Sequence, residues 1–159
     1  TGLLTIAGAV GMRQILTGSR GGTWGPILVG IYGLGLIGAG FFVPDPALGF
    51  PPGTPANAHA VSWHGLLHFV SGGIGFLGLI AACFVFARRF AAQRLRGWAV
   101  YSVAIGVFFF AAFIGIAVGS NSVGAITTFV ILAFTVAVVI GWAWVSVMAA
   151  KLLGISCSA

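Results

Sequence analysis

Five stretches of this chain are almost wholly apolar: residues 1–16, 25–43, 61–87, 98–118 and 124–150. Polar and charged positions gather between them. A helix rising 1.5 Å per residue needs about 20 residues to cross a hydrocarbon core of about 30 Å. The last four segments meet that length, whereas the first would span only about 24 Å. The pattern predicts an all-α, polytopic transmembrane helical bundle, with five helices in one domain over residues 1–159. A Pro-rich loop, 44–60, joins the second and third segments.

The third segment has a finer pattern. His64, His68, Ser71, Gly75, Gly78 and Ala82 follow the three- and four-residue spacing of one helix face. Leu66, Val70, Ile74, Leu77 and Phe84 occupy the other side. In a membrane, small and polar residues favour helix–helix contact and bulky apolar ones favour lipid. The small stripe is therefore expected to face the bundle. Gly is abundant, at 26 residues. Further small pairs are Gly35/Ala39, Ala137/Gly141 and Gly115/Gly119; the last fits packing within the chain or, as the second choice, a homo-oligomer or partner-helix face. Trp63, Trp98, Trp142 and Trp144 fall near segment ends and are read as interfacial anchors. Phe108, Phe109 and Phe110 are read as lipid-facing or core surface.

Composition strengthens this reading. Charged residues make up 5% of the chain, against about 25% in soluble domains. The net charge of +6 does not point to nucleic acid, because the basic residues form no patch among aromatics. They lie at alternate segment ends: Arg13 and Arg20, then Arg88, Arg89, Arg94 and Arg96, then Lys151. The loops after segments two and four contain neither Lys nor Arg. The positive-inside rule puts the Arg loops and the C-terminus in the cytoplasm of a plasma (inner) membrane, with membrane lipids as surroundings. The N-terminus would then lie outside, and a further helix is expected upstream of Thr1. Cys83 and Cys157 fall at or near the reducing side, so no structural disulfide is expected.

All three histidines and the single acidic residue lie between Asp45 and His68, with five of the six prolines. Any proton transfer, acid–base or metal chemistry must use that window or a partner. His64 and His68, four apart, share a helix face; with Asp45 they could bind one zinc ion, and Asp45 could instead act as a base. His59 joins only if the helix begins after it. This differs from His-Glu-xx-His hydrolases, since residue 65 is Gly and the chain has no Glu. Haem is not expected, because His64 and His68 cannot be both axial ligands of one iron from one face. Proton-coupled transport is a further reading, because intramembrane ionisable groups mark ion paths; the relay would end near Ser71. Ser62 and Ser71 lack the surroundings of a nucleophile elbow. The reading placed first is structural: the histidines bond across helices and Asp45 caps a helix end or ties down the loop, with Asn57 or Ser62 as the cap of segment three.

The runs Gly33-Leu-Gly-Leu-Ile-Gly-Ala-Gly-Phe-Phe-Val-Pro-Asp45-Pro-Ala-Leu-Gly-Phe-Pro-Pro-Gly-Thr-Pro55, Ser62-Trp-His64-Gly-Leu-Leu-His68 and Ala82-Cys-Phe-Val-Phe-Ala-Arg-Arg89 resemble the bacterial integral membrane family called domain of unknown function 998. The likeness runs through most of the chain and is densest from Gly33 to Arg89. It implies a six-helix membrane protein, one helix more than is present here. It implies no activity and assigns no catalytic residue.

Overall fold

The computed structural model describes residues 1–19, 21–47, 51–55, 61–119 and 125–156. They form an all-α bundle of five helices: α1 (Gly2–Ile15), α2 (Trp24–Phe41), α3 (Trp63–Ala92), α4 (Arg96–Gly119) and α5 (Ala125–Ser156). Four helices, α2 to α5, are long and apolar enough to cross a membrane. Helices satisfy their own backbone hydrogen bonds, which hydrocarbon demands of any segment that crosses it. At 14 residues, α1 falls short of that length and instead packs on α2 and α5. Successive helices are neighbours, and the α1–α5 contact closes the circuit.

The helices outrun the apolar segments at the basic end. α3 continues to Ala92 through Arg88 and Arg89, rather than stopping at Ala87, and α4 begins at Arg96. Arg is a good helix former whose apolar stem lies along the bundle while its head reaches water. Hydropathy falls before the helix ends for that reason.

The α2–α3 interface is the most extensive, and small residues set its closeness. A Cβ at Gly35 would lie 2.5 Å from the Gly75 Cα and 2.7 Å from the Ser71 carbonyl oxygen. Any side chain there would push the helices apart. The stripe of α3 faces inward as the spacing predicts: Gly75, Gly78 and Ala82 are buried, whereas Leu66, Val70, Ile74, Leu77 and Phe84 are exposed. An exposed apolar face of this kind suits contact with lipid or with another apolar surface rather than with water.

The core draws on all five helices and includes Met12, Val29, Tyr32, Leu79, Cys83, Phe86, Phe109 and Trp144. Trp144 corrects an expectation. It is no interfacial anchor but fully buried, donating its indole N–H to Ser102 Oγ at 3.2 Å and standing edge-on to Phe86. Residue 144 falls on the inward side of α5, and the Ser102 hydroxyl gives the indole a partner there. Trp63 is exposed, as an anchor should be. The Phe108–Phe110 run divides: Phe109 is buried and its two neighbours are exposed.

The ends of the bundle differ in chemistry. At one end, Arg89 Nη1 donates to Ser19 Oγ at 2.7 Å, Arg13 donates to the Gly22 carbonyl, and the Lys151 ammonium stands 5.4 Å above the Trp98 ring. At the other, α2 ends, Asp45 follows, and α3 begins with His64 and His68 in its first turns.

Candidate functional site

Asp45 is carried by the segment that leaves α2, next to Pro44 and Pro46. Those prolines hold the chain extended, and the C-cap Phe42 already has φ −91° and ψ 115°. The carboxylate reaches the start of α3, where Asp45 Oδ2 accepts the Ser62 N–H at 2.7 Å. Ser62 is the N-cap of α3, and its Oγ accepts the Gly65 N–H at 3.1 Å. This is the ordinary cap geometry, in which a hydroxyl satisfies one of the orphan donors of the first turn. Ser62 therefore caps α3 as expected, while Asp45 ties the loop to that cap. The Ser62 hydroxyl and then the Ser62 N–H hold the Asp45 carboxyl below its usual range, with a smaller contribution from the charge of His64. The helix N-terminus also favours an anion at this place.

Gly65 is the residue that sequence reasoning overlooked. A Cβ at this position would collide with the Asp45 carboxylate. The absence of a side chain lets the loop press against the first turn of α3. The sequence signal was a Gly set between two bulky pairs, Trp63-His64 and Leu66-Leu67.

His68 works in the opposite direction. Its Nδ1 lies 2.8 Å from the Ala39 carbonyl oxygen and 2.9 Å from that of Phe42. Both partners are acceptors, so Nδ1 carries the proton and donates to both. The last carbonyls of a helix have no partner within it. An α3 side chain thus satisfies the C-terminal end of α2, while the segment after α2 satisfies the N-terminal end of α3. In a neutral His68 the free lone pair is left on Nε2.

His64 is exposed. Its ring centroid stands 3.5 Å from that of Trp63 and 6.3 Å from that of Phe42. Ser71 sits one turn below His68, half-buried, where its Cβ and Oγ would each be 2.8 Å from a Cβ at Gly38. It belongs to the close α2–α3 crossing. His59 and Asn57 lie outside the described residues. Among the described residues, no group of three or more His, Cys, Asp or Glu side chains stands together to hold a metal ion. Asp45 Oδ2 and His68 Nδ1 are instead occupied by backbone groups.

The fold and this site together define a multi-pass α-helical membrane protein whose acidic and imidazole groups lie at the same end of a helical hairpin. Over residues 1–151 the chain matches the family described as "Protein of unknown function (DUF998)". It belongs to that family, as the Asp-Pro loop and the His-xxx-His pair suggested. No curated protein and no solved structure matches it.

Proposed function

We propose that this protein has a non-enzymatic role in the plasma membrane, as a scaffold, sensor or transport-associated bundle. In this reading the Asp45–His68 constellation is a clasp that fixes the α2–α3 hairpin. The observation that carries the proposal is how the polar atoms are used. One Asp45 oxygen accepts the Ser62 N–H, and His68 Nδ1 is shared between two α2 carbonyls. Groups of this kind contribute by satisfying backbone that would otherwise be stranded near the membrane surface. The lopsided charge supports an orientation with the Arg-bearing end and the C-terminus in the cytoplasm and the clasp outside.

The deciding experiment is metal content, measured by mass spectrometry, with thermal unfolding in mild detergent, for the wild-type protein and His64→Ala/His68→Ala. The clasp reading expects no stoichiometric metal and a lower melting temperature in the double variant. About one zinc per chain, lost in the variant, would overturn it in favour of a metal-dependent hydrolase using Asp45, His64 and His68. A proton flux in proteoliposomes that needs His68 would instead support a transporter.

A further inference from the structure

The basic end holds a feature that charge alone does not explain. A shallow apolar groove of about 310 Å³ runs between the start of α4 and the end of α5, lined by Gly97, Trp98, Tyr101 and Val147. Arg96 adjoins its α4 wall, and Lys151, one turn beyond Val147 on α5, holds its ammonium 5.4 Å above the Trp98 ring. No carboxylate side chain offsets these charges, since Asp45, the only acidic residue, lies at the far end. Leu95, which precedes α4, has no side-chain oxygen to cap the free N–H groups of the first turn.

The turn beside the groove carries a second oddity. α3 closes with Leu95 N–H bonded to the Phe90 carbonyl and Arg94 N–H to that of Ala91. This pattern needs a left-handed residue, usually Gly. Here it is Arg94, at φ 60°, in a chain with 26 glycines. Holding a side chain in that conformation costs stability. The position thus carries a cation where the backbone geometry favours Gly.

We infer that this groove is a binding site for one anionic phospholipid of the surrounding membrane. An acyl chain lies against Trp98, Tyr101 and Val147, and the headgroup phosphate meets Arg96 and Lys151, with Arg94 adding to the field. The charge complementarity selects an anionic headgroup, and the apolar lining selects a lipid over a free anion. The inference is independent of how the Asp45–His68 end works.

The test uses the purified protein in neutral detergent. Native mass spectrometry and thermal unfolding are read with phosphatidylglycerol, with phosphatidylcholine of the same chains, and with inorganic phosphate. Phosphatidylglycerol is expected to bind roughly tenfold more tightly than phosphatidylcholine, and phosphate alone to give no comparable stabilisation. Arg96→Gln/Lys151→Gln should erase most of that preference. Gly97→Leu places an apolar side chain at the groove wall, where a Cβ meets nothing within 4 Å; it should weaken both lipids without changing the charge. Arg94→Gly should raise the melting temperature of the lipid-free protein while lowering phosphatidylglycerol affinity. Equal affinity for the two lipids, stabilisation by phosphate alone, or undiminished phosphatidylglycerol binding in Gly97→Leu would each overturn the site.

Discussion

The two ends of this bundle hold polar groups in opposite ways. At the Asp45 end the charge count is minimal, and two of its side chains bond to backbone: Asp45 to the Ser62 N–H, His68 to the Ala39 and Phe42 carbonyls. At the Arg end, charge accumulates without a carboxylate to balance it, and Arg88, Arg94 and Arg96 are exposed. The first arrangement is closed, with donors and acceptors matched inside one helical hairpin. The second is open and offers cations to whatever lies beyond it. The first kind of end satisfies helix termini near hydrocarbon, and the second has the charge that attracts anionic lipid.

If the closed end is structural, breaking it should be costly. His68→Ala would strand the Ala39 and Phe42 carbonyls and leave a gap at the α2–α3 junction. A loss of about 2–3 kcal/mol is expected, read as a lower unfolding midpoint in detergent. His68→Gln, which keeps a donor, should recover part of it. An unchanged midpoint in His68→Ala would remove the argument for a clasp. Gly65→Ala attacks the same end from the other side. Its methyl must displace the Asp45 carboxylate, at a cost of about 1–2 kcal/mol, and hydrogen exchange should quicken at the Ser62 and Gly65 amides before the rest of α3 is affected.

What the sequence revealed follows the same division. Hydropathy located the five helices, and the three- and four-residue spacing of Ser71, Gly75, Gly78 and Ala82 identified the buried face of α3. These are properties of side chains in series, which a sequence displays directly. The window from Asp45 to His68 stood out for the same reason. The partners of its side chains did not, because they are backbone atoms: the Ser62 N–H and the Ala39 and Phe42 carbonyls have no residue-type signature. That Asp45 ties down the loop is an expectation the residue type allows; that it does so through the Ser62 amide is not. Trp144 escaped because a position near a segment end does not say which way a side chain turns. Arg94 escaped because a left-handed Arg resembles any other Arg until the turn is seen.

At the open end the expected change is smaller and of opposite sign. Arg94→Gly removes a left-handed non-glycine residue and should stabilise the lipid-free protein by about 1 kcal/mol, visible as a modest rise in melting temperature. A substitution that stabilises the fold yet weakens its hold on anionic lipid would separate the two ends in one measurement. A fall in melting temperature would mean that the Arg94 side chain makes contacts outweighing its backbone cost.

Acid offers the mildest way to separate the ends. The carboxyl of Asp45 is held below its usual range by the Ser62 hydroxyl and N–H. The folded state thus binds this proton less readily than the unfolded chain. The resulting stabilisation is complete above the ordinary carboxylate range and fades as pH falls through the lowered folded value. Asp45→Asn has no such proton to take up, and its side-chain oxygen can still accept the Ser62 N–H. The variant should therefore unfold with a flatter pH dependence below about pH 5 and differ little from wild type at neutral pH. The basic end carries no carboxylate or imidazole side chain among the described residues, so Arg96→Gln/Lys151→Gln should leave the acid limb of the stability curve in place. Equal flattening by both substitutions would show that acid acts through the overall charge of the bundle, and the closed end would lose its claim to a local role.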